Sequence, residues 1–356
     1  MTIDDLVHSP GEWLTPGGPL SDVVVSSRVR LARNLRGFRF LTRAGAAERN
    51  DIAAALVNAI GKAELGQETF YVDVEKSDPL DRQFLVERQL ISRQHADGEG
   101  SRGVAIARSE KLALMVNEED HLRIQVLRRG MGLDDAWNDM ARVDAALEAV
   151  VDFAFHEQYG YLTACPTNVG TGLRVSVMLH LPALKLTNEI EKVLRAAKDM
   201  KLAVRGLYGE GTEALGDFFQ VSNQITLGQT EEEILFNFKN NVIPSIVRYE
   251  QETRRVLLEE KLTAVDDKAW RALGLLQNVR AISSEEALFL LSHLRMGVLL
   301  HRIPDVDLNV INELFIATQS AHLQKRLGRK FDGEHRSIAR ADLIRARLLR
   351  AKPSEN

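Results

Sequence analysis

Apolar and polar residues alternate in short runs through roughly the first 255 positions, and longer runs with helical spacing separate them. The β-branched stretch Val23–Val29 predicts a strand, and Ala46–Leu65, with small and apolar residues at i, i+3 and i+4, predicts a helix. Thr69–Val74 reads as a short strand and Ser77–His95 as a helix with Ser77 and Asp78 as caps. Gly103–Arg108 and Ala113–Asn117 form a strand pair turning near Glu110, and Leu122–Leu127 follows as a third strand. Then come a long amphipathic helix, Asp134–Glu157, a strand at Leu173–Leu181, a helix at Glu189–Lys201 and a strand at Leu215–Val221. Strands that follow one another directly favour an antiparallel sheet with helices on one side, an α+β layout.

The pattern changes after Thr230. Thr230 and Glu233 make a capping box for a helix running toward Leu262 and bent at Pro244. From Thr263 onward no segment reads as a strand. Ser283 and Glu286 open the apolar helix Ala287–Leu300, Asp305 caps Val306–Thr318, and an amphipathic helix begins near Ser337. The expected organisation is an N-terminal arm over 1–20, where three prolines and three glycines leave no periodicity, a mixed domain over 21–257, and an all-helical domain over 258–356.

Composition narrows the function classes. The 356 residues are 45% hydrophobic and 27% charged, which suits a globular chain with a sizeable core. The net charge of −4 provides no overall attraction to nucleic acid or an anionic membrane. The tail Lys325–Lys352, with ten basic residues against three acids, lacks interleaved aromatics, so direct nucleic-acid binding is not expected. No run reaches the ~20 apolar residues of a membrane span. The one cysteine, Cys165, excludes an internal disulfide, and with no export signal at the start the expected compartment is the cytoplasm.

The GxxxxGK[ST] phosphate loop does not occur. Instead, strand alternation puts Arg28 and Arg30 opposite Val29, Arg123 opposite Leu122, Ile124 and Val126, and Arg174 opposite Leu173, Val175 and Val177. Taken singly, each arginine is what a solvated sheet face carries. Together they suggest an anion cradle, because guanidinium groups bind phosphate bidentately and keep their charge. Three loops lie between these strands. Asn117–His121 carries Glu118, Glu119 and Asp120. Cys165–Gly172 is a Pro/Gly/Asn loop around the thiol, and a lone cysteine is equally at home as a small buried hydrophobe. Arg205–Glu213 contains three glycines and Glu210, a composition suited to a loop that closes over a ligand.

The segments SSRVRLARN, NEEDHLRI, CPTNVGTGLR and RGLYGEGTE resemble, in the same order, the signature segments of the ATP:guanidino phosphotransferases, the phosphagen kinase family. The resemblance spans roughly residues 22–255. It implies an antiparallel sheet flanked by helices, similar to the glutamine synthetase and guanidino kinase catalytic fold, with the all-helical C-terminal domain added. It implies transfer of the ATP γ-phosphoryl to a guanidinium, with Mg2+ on the phosphates. By this resemblance Glu119 is the base, Glu210 its orienting partner and Cys165 the reactive cysteine. Ser27, Arg28, Arg30, Arg123, Arg174 and Arg205 would bind ATP, together with Gln89 and Met178, which stand where relatives often have histidine. Tyr208 stands where metabolic members carry a second arginine.

Arg28 stands too near the start for the helical N-terminal domain of metabolic members. This arrangement is similar to the branch of the family that phosphorylates arginine side chains in proteins. In that branch an RDxxRA motif binds phosphoarginine allosterically. Here the matching residues are Arg336, Ser337, Arg340 and Ala341, with serine in place of aspartate. The resemblance also implies roles in stress response and protein quality control, a possible homodimer, and three partners: an activator McsA, the repressor CtsR and the ClpC–ClpP protease. A kinase for free guanidino compounds and a phosphoarginine-binding adaptor are the alternatives.

Overall fold

The computed structural model describes residues 2–9, 11–206 and 215–350. Its chain order is β1 Val24–Arg33, α1 Ala46–Lys62, β2 Thr69–Asp73, α2 Pro79–Glu87, α3 Arg93–Asp97, β3 Gly103–Ala107, β4 Leu112–Val116, β5 Leu122–Arg129 and α4 Leu133–Glu148. A short hairpin, β6 Phe155–His156 and β7 Gly160–Tyr161, leads to β8 Leu173–His180, α5 Pro182–Leu186, α6 Ile190–Asp199, β9 Leu202–Arg205 and β10 Phe218–Asn223. Helices α7 Glu231–Asn237, α8 Ile243–Glu260, α9 Leu262–Asn278, α10 Ser284–Leu299, α11 Leu308–Ala317, α12 Ser320–Leu327 and α13 Gly333–Arg350 complete it.

Eight strands pair antiparallel in the order β2-β3-β4-β5-β1-β8-β10-β9. The two faces of this sheet have different fates. One buries Val29, Leu31, Leu114, Ile124, Val175, Val177 and Val221 against α1, α4, α6 and the α7–α8 segment. The other is covered at two places. Beside β2–β4, Phe84 and Leu85 of α2 join Leu6 and Val7 over Val104, Ile106 and Met115. At its far end, Val25, Leu127, Met178 and Phe218 pack against Trp13, Leu14 and helices α9, α10, α11 and α13. A register shift between Val24 and Ser26 lets Val24 join the first core and Val25 the second. The uncovered remainder of this face carries the arginines.

Several expected elements change at identifiable residues. The helix expected over Ser77–His95 is two helices, because Gln89 takes a left-handed conformation (φ 59°) and Ser92 starts afresh as the cap of α3. The helix expected to reach Glu157 stops at Glu148, and Phe153 instead bridges to Leu35. The strand expected from Leu215 begins at Phe218, because Gly216 and Asp217 both turn left-handed. Asp307 rather than Asp305 caps α11, accepting from the Asn309 N–H at 2.8 Å. The Thr230–Glu233 capping box forms, and a single π turn, Phe238–Val242, carries the chain into α8 just before Pro244. The residue 1–20 arm is pinned: Leu6, Trp13 and Leu14 are buried. No helix among the described residues is long and apolar enough to cross a membrane.

Candidate active site

The arginine face gathers its side chains because neighbouring strands hold them in register. Arg30 lies opposite Arg174 and Gln125, Arg28 opposite Ser176, and Arg205 opposite Gln220. Arg28, Arg30, Arg123, Arg174 and Arg205 all line one cavity of about 580 Å³, with Glu119, Cys165 and Gln89 also on its wall. Serines on the same face hold the cations loosely: Arg28 Nε donates to Ser176 Oγ at 3.3 Å and Arg174 to Ser222 Oγ at 3.4 Å. Burial, and then repulsion from Arg123, Arg174 and Arg205, push the Arg28 guanidinium down to about 9. Burial, and then repulsion from Arg28, Arg123 and Arg174, push Arg30 well down, with Glu118 opposing. Such a cluster stays cationic at neutral pH and gains most from an anion with several charges.

Two adjacent glutamates at the tip of the β4–β5 hairpin have separate environments. Asn117 takes a left-handed turn (φ 58°), which asparagine tolerates, and its N–H donates to His121 O at 2.8 Å. Glu118 is buried. It accepts from Ser92 Oγ at 2.6 Å, Arg123 at 2.7 Å and the Glu119 N–H at 2.9 Å. Its carboxyl sits at about 2: burial opposes this, but Arg123 and the hydrogen bonds outweigh it. The same pair raises Arg123 despite its burial. Glu119 is half-buried, and its carboxyl is raised, mainly by burial, with Asp120 and Glu118 adding to the rise. Glu118 is thus a fixed counter-ion, while Glu119 is the carboxylate tuned toward taking up a proton.

Asp120 ties this tip to the cysteine loop. Its Oδ1 accepts from Asn34 Nδ2 at 2.6 Å and from the Ala164 N–H at 2.6 Å, which holds Cys165 on the cavity wall. The partly exposed Cys165 thiol meets Thr167 Oγ1 at 3.0 Å. Gln89 is pinned from above: its carbonyl accepts from Gln125 Nε2 at 2.7 Å, while its own buried Nε2 has no hydrogen-bond partner. The left-handed turn costs a residue with a side chain about 1–2 kcal/mol, which the helix-end bonds from Gln89 N–H to Val86 O and Leu90 N–H to Leu85 O and the bond from Gln125 together offset.

Not every expected residue reaches the cavity. Ser27 faces away from Arg28 by strand alternation, and its Oγ donates to Gly130 O at 2.8 Å. Met178 shares the arginine face but lies beyond the cavity, under the C-terminal helices with Trp13 and Phe218. Glu210 and Tyr208 lie outside the described residues. Arg336, Ser337, Arg340 and Ala341 sit on α13 and do not line the cavity. Arg340 is only 2% exposed, and it donates to Thr318 O at 2.6 Å and Ile282 O at 2.8 Å. Conversely, Ser92, Glu118, Ser176, Gln220 and Ser222 belong to the site without having been singled out. Gln220 and Ser222 were within reach of the strand pattern, since they alternate with Phe219 and Val221.

Among the described residues no three of His, Cys, Asp and Glu come together as a metal cage. Among the described residues the wall offers many guanidinium donors and two carboxylates, Glu118 and Glu119, which fits a polyphosphate whose oxygens carry the cation.

Sequence comparison gives the same direction. The C-terminal catalytic domain of the ATP:guanido phosphotransferases matches residues 51–253, and the protein-arginine kinase McsB C-terminal domain matches residues 262–356. A protein-arginine kinase of Halothermothrix orenii is 44% identical over 352 residues, covering 98% of this chain and 99% of the relative. One of Symbiobacterium thermophilum is 46% identical over 344 residues, covering 96% and 97%. Among solved structures, a lombricine kinase superposes with a TM-score of 0.57 at 22% identity, over 70% of this chain and 76% of the other. The duplicated taurocyamine kinase of Schistosoma mansoni gives 0.59 at 25% identity, over 77% and 40%.

Proposed function

The chain belongs to the ATP:guanido phosphotransferases and within them to the protein-arginine kinases, and on that premise we propose how its own residues carry the reaction. The enzyme transfers the γ-phosphoryl of ATP to arginine guanidinium groups of proteins. The observation that supports the assignment of roles is the cavity itself, lined by six arginines of the described residues, Arg93 included, together with Glu119, whose carboxyl is raised, and the Cys165 thiol.

Arg28, Arg30, Arg123, Arg174 and Arg205 hold the triphosphate and stabilise the charge on the moving phosphoryl group, each such donor being worth roughly 10²–10³ in rate. Mg2+ carried on the phosphates neutralises part of their charge. Gln89 contributes its amide to the nucleotide side. The acceptor guanidinium lies against Glu119 and Cys165, with Glu210 as second carboxylate. As the N–P bond forms and the bond from phosphorus to the ADP oxygen breaks, Glu119 takes the proton the guanidinium loses. Cys165 stabilises the cation electrostatically, with no covalent intermediate.

The finer reading is that Arg336, with Ser337, Arg340 and Ala341 around it, binds phosphoarginine in the C-terminal region. The same reading places the enzyme in the cytoplasm, as a homodimer working with McsA, CtsR and ClpC–ClpP; the match of the McsB C-terminal domain to residues 262–356 supports it. Incubation with ATP and an arginine-rich protein, followed by mass spectrometry under non-acidic conditions, tests the activity. The expected product is acid-labile phosphoarginine. A product phosphorylated only on free arginine would favour a metabolic guanidino kinase instead.

A further inference from the structure

Three consecutive residues at the end of α2 face three different parts of the molecule. Glu87 is buried and accepts from the N–H groups of Ala321, at 2.9 and 3.1 Å, and His322, at 2.8 Å. These are first-turn amides of α12, which have no partner within the helix, so a carboxylate there answers both the unpaired donors and the helix dipole. Arg88, 1% exposed, donates to Glu110 (2.7 Å to Oε2), to Ser9 O and Oγ (both 3.0 Å), and to His322 Nε2 at 2.9 Å. Burial and Arg88 push the His322 imidazole down to about 3, so the ring is neutral and offers Nε2 as acceptor. The next residue, Gln89, makes the left-handed turn onto the cavity wall.

Gln89 therefore holds an unfavourable backbone conformation at the end of a segment whose preceding two side chains are bound to the N-terminal arm, the β3–β4 turn and α12. Local bonds close the end of α2, Gln89 N–H to Val86 O at 2.9 Å and Leu90 N–H to Leu85 O at 3.0 Å, but Gln89 stands at the left-handed position that glycine usually takes, so the turn gains from outside support. Arg340 of α13 adds a favourable charge for Glu87 from the same region.

We propose that Glu87 and Arg88 are positioning residues for the nucleotide: clamped by α12 through Ala321 and His322, they fix Gln89 against the cavity, so the C-terminal helices set ATP affinity without touching ATP. This rests on the reading that the cavity takes ATP. The Glu87 carboxylate and one arm of the Arg88 guanidinium each reach α12, more than 230 positions away. The C-terminal region is thereby part of the nucleotide wall's support.

The test uses the full chain. His322→Ala removes the acceptor for Arg88, and Glu87→Gln keeps the shape but removes the charge. Both lie outside the cavity. Titration with ATP alone and steady-state kinetics with a saturating protein acceptor are both read. The expected result is a roughly tenfold weaker ATP affinity and a matching rise in KM, with kcat little changed, the size that losing an outer support has at other bound-ligand sites. In a Gln89→Ala background the same substitutions should add almost nothing, since they act through that residue. Hydrogen exchange on the wild type gives a third reading: ATP should slow exchange at the amides of Ala321 and His322.

Three results would overturn the clamp: wild-type ATP affinity in folded variants, losses that multiply with Gln89→Ala, or exchange at α12 indifferent to ATP. Because ATP titration needs no acceptor, a failure of the clamp is distinguishable from a failure of the kinase reading, which would appear as missing phosphoarginine with ATP binding intact.

Discussion

Glu118 and Glu119 are adjacent in sequence, yet one is a counter-ion held ionised and the other a carboxyl whose proton affinity is raised. Burial acts on both; the difference is that Arg123, Ser92 and a backbone N–H converge on Glu118. A base must be deprotonated, so kcat/KM should fall as pH drops through the raised Glu119 value, an acid limb shifted upward from that of an ordinary glutamate. Glu118→Gln removes a repelling charge from Glu119 and leaves Arg123 unpaired to attract it. Both changes lower the Glu119 value, so the acid limb should move to lower pH while kcat falls. A pH–rate profile checks this, and an unmoved limb would separate Glu119 from it. For Cys165→Ser, on the guanidinium side of the cavity, turnover should drop on the order of 10²-fold or more, while ATP affinity stays within a few-fold. Nucleotide titration beside steady-state kinetics separates the two effects.

At the scale of elements, the arginine-bearing strands of the sheet were legible because they alternate. Val29, Ile124 and Val175 mark one face and Arg28, Arg123 and Arg174 the other, and period two leaves no freedom about which is which. What the pattern missed depends on residues that alternation cannot see. The break at Gln89 is closed by local bonds to Val86 O and Leu85 O and braced by Gln125, remote in sequence. The placement of Cys165 depends on Asp120, which reads as one more polar residue in a charged run but holds the Ala164 N–H and Asn34 together. The resemblance to the guanidino kinases located the loops without this wiring, and it assigned ATP contacts to Ser27 and Met178, which lie off the cavity. Asp120→Ala should therefore raise KM for the protein acceptor by about tenfold or more through misplacement of the cysteine loop, with ATP binding preserved. Equal KM would mean the loop is positioned by other contacts.

Across the whole molecule, the C-terminal helices share a core with the sheet. Phe218 of β10 meets Phe315 of α11 edge-on at 4.8 Å, and Trp13 and Met178 join the same cluster. Polar contacts reinforce this joint: Arg295 of α10 donates to Ser21 O at 3.0 Å, and Ser292 links Asp217 to His180. Phe218→Ala should cost about 3–5 kcal/mol, and urea unfolding followed by probes in both regions should shift together. Separate transitions would mean the two regions fold independently. Arg340 belongs to this scale as well. It satisfies two buried carbonyls, so Arg340→Ala should destabilise the chain by about 1–3 kcal/mol whatever it does to ligand binding.

The central claim is that Glu119 accepts the proton as a protein-bound arginine attacks ATP. The most direct measurement compares wild type and Glu119→Gln, each saturated with ATP and an arginine-rich protein, by single-turnover formation of acid-labile phosphoarginine. The account predicts that the variant binds ATP normally and forms product slower by on the order of 10²–10⁴. Product formed by Glu119→Gln at the wild-type rate would contradict it.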